Sequence, residues 1–591
     1  MNFSWVELVL AVIKILVVIG FCLNMSALAT WAERRQSAMI QHRVGPNRAV
    51  VPVPSFVVQG ALAAPGVLLA AAVVYGLRTA GGTAMAYNHL SVSLQLVVFV
   101  TWFSFVILGW RARRKGPLNA LESALASVSG KTIFYAGVAA HVVAFMAVFA
   151  VPEPVVYSVA RAAAALLAAT LLTFGLYAAA RVPSGTIGIR LAGTLHALAD
   201  TIKMIFKEDF VPPNGDKLLH ALAPMIAMFP ALVVMAVIPF GDALCFLDGN
   251  HDGKFQFKEL LQLAPDMGRD GICEGHLVPL QVVDLNVGIL YLFAISSTGV
   301  IGAAIAGWAS DNKFSLLGGL RAASQMVSYE VAMGLSLMGT LLIYGTVRLQ
   351  PMVAWQNEHA WGIFVQPLGF FLFLAAVLAE TKRVPFDQPE GESEIVAGYF
   401  VEYSGLKWGM FMAGEYVEII TSSALLVTLF FGGYSLPFLF PDGVSISLGH
   451  TLLFSYKMNH LAVSVMEIAA FFGKTTFLAF VQIFFRWTLP RFRYDQLMKF
   501  GWTKLLPVAI ANLVVTAIVV VAFDKAGPAV GDALSFAASV TQLAVAAFMI
   551  FVPLYIVGLF MRPVERTRFL QSSAARFAAA AGGVKATPMQ A

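Results

Sequence analysis

Hydrophobic and polar positions along this chain fall into long blocks rather than the short alternations of a soluble fold. Apolar runs stand near 5–30, 57–77, 90–110, 131–152, 159–180, 217–240, 286–308, 328–347, 363–380, 407–432, 462–487, 503–523 and 537–561. Each is about 18 residues or longer, the length a helix needs to cross a hydrocarbon core about 30 Å thick. The pattern predicts an all-α polytopic membrane protein with about 13 transmembrane helices. Between 191 and 209, "LAGTLHALADTIKMIFKED" is too short and too charged to span. Its apolar residues recur at helical spacing, so it is expected to be an amphipathic helix at the cytoplasmic face.

The polar punctuation orients the helices. Placing "ERRQSAMIQHR" inside sends the N-terminus to the periplasm. "RARRK" (111–115), "RVPSGTIGIR" (181–190), "RWTLPRFRYDQLMK" (486–499) and the C-terminal tail then fall in the cytoplasm. Nearly every basic cluster lands on that side, as cytoplasmic flanks require. Six regions follow: 1–48, the first helix and its loop; 49–190, an inserted block of four helices that returns the chain to the side it left; 191–240, the amphipathic helix and the next span; 241–285, a polar outer loop; 286–523, the core helices; and 524–591, an extra helix with an Ala-rich tail. The first 24 residues show no small-residue cleavage site and read as a retained helix rather than a signal peptide.

Composition agrees. The 591 residues are 59% hydrophobic and 12% charged, against about 25% charged in a soluble protein. The net charge of +6 comes from basic membrane flanks, so no nucleic-acid surface is implied. Three cysteines exclude a disulfide scaffold and a cysteine-ligated iron–sulfur cluster, which needs about four thiolates. Cys245 and Cys273 flank the outer loop on the oxidising side, where a disulfide and two free thiols are both open readings.

Against this apolar background, ionisable residues inside the spans are functional candidates, because each charge costs a few kcal/mol in the bilayer. They are Glu330, Glu415, Glu418, Glu467 and Lys474, the last two sharing one helix face. The stretch "ETKRVPFDQPEGESEIVAGYFVEYSG" (380–405) adds Glu380, Asp387, Glu390, Glu392, Glu394 and Glu402 with only Lys382 and Arg383 beside them. Carboxylates this dense, leading from a loop into a span, are suited to taking and passing protons. The plainer alternatives are a solvated acidic loop and packing pairs between helices. On the same face lie Glu33, Arg34, Arg35, Arg43, Arg48, Asp200, Lys203, Lys207, Glu208, Arg321, Gln325 and Tyr329. Such a ring would hold the polar head of a lipid-tailed molecule; ordinary snorkelling of Arg and Lys at helix ends is the alternative.

The outer loop carries "DGNHDGKFQFKE" (248–259), which fits the twelve-residue EF-hand spacing. Asp248, Asn250, Asp252, the Lys254 carbonyl and a bidentate Glu259 would converge on calcium, with Gly253 at the sharp turn.

Five segments, "RVGPNR", "LADTIKMIFKED", "RAASQMVSYE", "ETKRVPFDQPEGESEIVAGYFVEYSG" and "PRFRYDQLMKFGW", resemble in order the signature segments of a known family. It is the H-type membrane subunit of bacterial NADH-quinone oxidoreductase, respiratory complex I, whose mitochondrial counterpart is called subunit 1. The resemblance covers about 1–48, 190–240 and 286–523; it leaves out the four-helix block, the outer loop and the last span. It implies a multi-pass subunit of the bacterial inner membrane with no flavin or iron–sulfur cluster of its own. Such a subunit binds quinone at the interface with the peripheral arm and couples quinone reduction to proton pumping. The resemblance implies quinone-binding roles for Glu33, Arg34, Asp200, Lys203, Arg321, Tyr329, Arg383 and Asp387. It implies an acidic relay of Glu330, Glu380, Glu390, Glu392, Glu394, Glu402 and Glu415, and a docking face at Arg486 and Arg493. Implied partners are the peripheral-arm quinone-site and iron–sulfur subunits, small membrane subunits, antiporter-like subunits and membrane lipid. In relatives "GPNR" leads within a few residues into the amphipathic helix; here about 140 residues intervene. Two other readings are a subunit of a membrane-bound hydrogenase, of the same lineage, and a free-standing secondary transporter, against which stands the lack of paired halves.

Overall fold

The computed structural model describes residues 5–41, 43, 45–46, 49–79, 83–115, 120–180, 185–189, 193–248, 255–256, 259, 264, 273, 275–389, 398–448, 451–525 and 528–560. Its helices are α1 Trp5–Ile40, α2 Ser55–Thr79, α3 Thr83–Lys115, α4 Ala120–Ser127, α5 Gly130–Phe149, α6 Val156–Ala180, α7 Leu195–Phe206, α8 Lys217–Val234, α9 Gly288–Ser296, α10 Thr298–Ala309, α11 Lys313–Tyr344, α12 Leu349–Glu358, α13 Gly362–Val365, α14 Pro367–Glu380, α15 Gly405–Phe430, α16 His460–Thr488, α17 Tyr494–Phe500, α18 Leu506–Asp524 and α19 Pro528–Phe560. Each apolar run read from the sequence is helical over most of its length, some of them divided between two helices. Among the described residues, ten helical segments are long and apolar enough to cross a membrane, or eleven if the bent pair Ala120–Ser127 and Thr132–Val148 is one span. Ser55–Ala71 and Pro367–Glu380 are shorter. The chain is an all-α multi-pass membrane protein.

Two compact units form. One comprises Met1–Val51 and Gly188–Ala547, the other Pro52–Ile187 and Phe548–Ala591. In the second, α6 packs on α2 and α3. The Ala-rich face of α6 lets backbones approach, so that a side chain on Gly66 would meet the Leu171 carbonyl; small residues serve this purpose where lipid leaves no hydrophobic drive between helices.

In the first unit α15 is the hub. Of its apolar window 72% is buried, against 17% for α1, and α1, α7, α8, α12, α14 and α16 pack around it. Local rules set the helix ends. Asp216 caps α8 by accepting from the Leu218 and Leu219 N–H groups, Asn312 caps α11 through the Phe314 N–H, and Gly345 closes α11 in the left-handed conformation. The run 286–308 is broken at Ser297 into α9 and α10. A π-helical turn, Gly501–Leu505, joins α17 to α18.

Small sheets sit in the loops. Two short strands, β1 (Val51–Pro54) and β2 (Thr186–Ile189), stand at the two ends of the inserted block. β3 (Leu244–Phe246) pairs antiparallel with β4 (His276–Val278). β5 (Leu439–Phe440), β6 (Gly443–Leu448) and β7 (Thr451–Lys457) form a three-stranded antiparallel sheet. Within the first unit the chain before the block meets the chain after it. The Ala49 N–H donates to His196 Nε2 at 3.1 Å, and any side chain on Gly193 would strike the Pro46 carbonyl. The amphipathic segment folds as α7, and its Leu198, Ile202, Ile205 and Phe206 form a bare apolar face, with Phe206 84% exposed.

Candidate functional site

Four elements deliver charge to one buried place: the last turns of α1, the turn after α14, the first half of α15 and the last turn of α16. Glu33 of α1 is buried. One of its carboxylate oxygens accepts from Arg486 Nη1. The other accepts from the Tyr416 hydroxyl at 2.7 Å and from Arg383 Nη1 at 3.4 Å. Arg383 also lies 3.7 Å from Glu415 Oε2 and stacks its guanidinium 4.5 Å above the Tyr416 ring. Glu415, 2% exposed, accepts from the Tyr399 hydroxyl at 3.3 Å.

One residue earlier, Lys382 turns the chain through the left-handed region (φ 53°). A non-glycine residue pays about 1–2 kcal/mol for that conformation, and it sends Lys382 and Arg383 to different acids. Lys382 reaches Glu418 at 3.6 Å. Glu380, buried at the end of α14, is acted on by the charges of Glu418 and Glu330 and lies within reach of the Ser296 hydroxyl; Glu330 has Ser297 beside it. Glu380, Lys382, Glu418, Ser296, Thr421 and Ser422 share a cavity of about 80 Å³. A row of acids thus runs Glu33, Glu415, Glu418, Glu380, Glu330, with Arg486, Arg383 and Lys382 set along it. Gln325 braces the turn by donating to the Ala379 and Phe386 carbonyls, both at 2.7 Å.

The other expected residues have separate settings. Asp200 of α7 pairs with Arg34 of α1 at 2.5 Å and with Lys203 at 3.2 Å, an exposed cluster joining the two helices. Asp387 pairs with Arg491 at 2.7 Å. Burial raises its carboxyl above the ordinary aspartate range, and the Arg491 and Arg486 charges pull it part of the way back. Glu402 accepts from Asn312 Nδ2 at 2.7 Å. Arg321 is half-buried on α11. Tyr329 is fully enclosed; its hydroxyl donates to the Leu497 carbonyl at 2.8 Å and its ring lies 5.5 Å from Phe386, so it supports the site's frame. Glu390, Glu392 and Glu394 lie outside the described residues, as do Asn250, Asp252 and Lys254 of the EF-hand-like loop, whose Asp248 and Glu259 are described. Cys245 and Cys273 form a disulfide.

Two tyrosines not singled out from the sequence, Tyr416 and Tyr399, join Glu418 and Lys382 in the cluster; the signal for Tyr416 was its adjacency to Glu415 in "GEYVEI". Arg486, expected on a docking face, is drawn inward by the buried Glu33, with only 14% of its side chain exposed, whereas Arg493 at the start of α17 is open. Lys474 is not an acid's partner: its ammonium donates to the Phe431, Gly433 and Ser435 carbonyls at 2.9, 3.0 and 2.6 Å. It thereby closes the negative end of α15. Its helix neighbour Glu467 accepts from the Asp242 N–H.

A profile of the NADH dehydrogenase family matches residues 154–517. An NADH-quinone oxidoreductase subunit of type H from Flavobacterium psychrophilum is 42% identical over 334 residues, which is 56% of this chain and 85% of the relative. Another of type H, from Geobacter metallireducens, is 43% identical over 55% of this chain and 82% of its own length. "NADH-quinone oxidoreductase subunit 8" of Rhodothermus marinus is 37% identical over 61% and 95%.

Proposed function

As this chain belongs to the NADH dehydrogenase family, we propose that it lines the quinone-binding chamber of an NADH-quinone oxidoreductase and carries the acidic path that couples quinone reduction to proton movement. The observation that carries this reading is the row of Glu33, Glu415, Glu418, Glu380 and Glu330, of which Glu33, Glu415 and Glu380 are buried. Five carboxylates face three bases, Arg486, Arg383 and Lys382. That surplus of two acids suits a proton carrier; a purely structural ion-pair network would balance.

The roles follow from position. Quinone is the substrate and electrons reach it from a partner subunit, since this chain is proposed to hold no redox centre. The bare apolar face of α7 beside the Arg34–Asp200 pair suits an access route for an isoprenoid tail at the inner leaflet. Arg383 is the pivot. It is shared between Glu33 and Glu415, so negative charge appearing near it during reduction draws it from one acid and leaves that acid to take a proton. The 80 Å³ cavity beside Glu380 and Glu418 has room for a few waters, enough to bridge the carboxylates and too small for a quinone. Partners are the peripheral-arm quinone-site and iron–sulfur subunits, small membrane subunits and antiporter-like subunits. The exposed Arg493 belongs to the peripheral-arm docking face.

The test is Glu415→Gln and Glu418→Gln in native membranes. Both are expected to abolish quinone-linked electron transfer and proton pumping while NADH oxidation by a water-soluble artificial acceptor persists. Assembled complexes that keep quinone-linked pumping in both variants would sink the reading.

A further inference from the structure

The outer loop holds a second cluster, independent of the quinone reading. Strand β3 runs into Asp248 and the loop returns through β4, whose His276 stands opposite Phe246. The Cys245–Cys273 disulfide ties the base of this loop. Between the strands, Asp248, Glu259 and His276 bring one ligand atom each within 4.8 Å of one another. Asp248 and Glu259 are the first and twelfth positions of the EF-hand-like spacing, eleven residues apart in sequence.

Glu259 points to a ligand most directly. It is 2% exposed, yet its Oε1 meets no hydrogen-bond donor among the described residues. Its Oε2 accepts from the Gln256 N–H at 2.9 Å and lies 3.8 Å from His276 Nε2. Phe255 walls the place on one side, 4.9 Å from the His276 ring and 5.5 Å from Phe246. A buried carboxylate with an unused oxygen is costly unless a cation sits against it.

We propose that Asp248, Glu259 and His276 bind a divalent metal ion, the carboxylates supplying the charge and the imidazole a third donor from across the hairpin. The loop spacing suits calcium, which takes oxygen ligands; an imidazole beside carboxylates suits zinc-like ions. Either ion meets the same two acids. Its position gives it a structural task. Phe246 and Phe255 pack on Val6 at the start of α1, and the Cys245 N–H donates to His460 at the start of α16. The ion would therefore fasten the loop over the outer ends of two helices whose inner halves carry Glu33 and Arg486.

The test uses the full chain in lipid nanodiscs, stripped with EDTA and dialysed against calcium or zinc in the presence of excess magnesium, with bound metal counted by mass spectrometry. One equivalent above the magnesium background is expected, with affinity lowered ~10-fold or more by Glu259→Gln and by His276→Gln. The half-buried Asp248→Asn serves as a third variant in case Glu259→Gln misfolds. Preference for calcium assigns an oxygen-led site and preference for zinc an imidazole-led one. No retained ion, or binding indifferent to His276→Gln, overturns the proposal.

Discussion

Glu33→Gln removes one charge from a buried group of four: Glu33, Glu415, Arg383 and Arg486. Their charges balance in the native chain, and the substitution leaves one guanidinium unmatched. Stripping one partner from a buried ion pair costs about 3–5 kcal/mol. The glutamine carbonyl still accepts from Tyr416, whose hydroxyl sits 2.7 Å away, so we expect the lower end, ~3 kcal/mol. Arg486→Gln leaves the opposite excess and is expected to cost about as much. The double variant restores neutrality, and its loss should fall short of the summed single losses by about 2–3 kcal/mol. The chain supplies its own probe: Cys22, buried on α1, is the one free cysteine. Its alkylation requires α1 to leave the bundle, so a ~3 kcal/mol loss raises the labelling rate roughly 100-fold where opening is in fast equilibrium. Labelling within threefold of native in both single variants would refute this reasoning. So would a double variant that labels as the sum of the two losses predicts, since the four groups would then not act as one unit.

Three further expectations are accessible to similar measurements. Gln325→Ala removes two buried hydrogen bonds to the turn after α14 and strands two carbonyls, a cost of about 2–4 kcal/mol; a thermal midpoint unchanged from native would contradict it. Lys474→Met exposes three carbonyls at the end of α15 to an apolar surround and is expected to prevent assembly, read as loss of the chain from membrane complexes; normal assembly levels would exclude the capping role. Asp387 has a carboxyl raised in the folded state, so its contribution favours folding at low pH and declines as pH climbs from about 4 through the raised value. Arg491→Gln removes an opposing influence, moving that decline to higher pH; stability–pH slopes identical to native would argue against the pairing.

Much of this architecture was legible because lipid forces long apolar runs into helices, which leaves little to infer beyond length. The break at Ser297 was not, since hydroxyls that satisfy their own backbone leave no gap in hydrophobicity. Nor was the β5–β7 sheet, whose one signal is the short alternation in "GVSISL" between two long apolar runs. The site divided the same way. Glu330, Glu380 and Glu415 stood out because charge is rare in a span, and they do converge. Their partners did not stand out: Glu33 and Arg486 are 453 positions apart, a pairing only tertiary packing creates. Glu467 and Lys474 looked like a pair from helical spacing alone, yet each serves a different backbone.

The meeting of Pro46 with Gly193 makes the inserted block of α2 to α6 a detour that departs and returns through a single doorway. Closing a flexible loop costs only about 0.6 kcal/mol more for each doubling of its length, so the span of 147 positions between Ala49 and His196 burdens the main fold by about 3 kcal/mol more than a turn of a few residues would. That doorway is where a foreign module, an affinity handle or a fluorescent reporter, can be grafted in place of the block while the ion-paired helices keep their register.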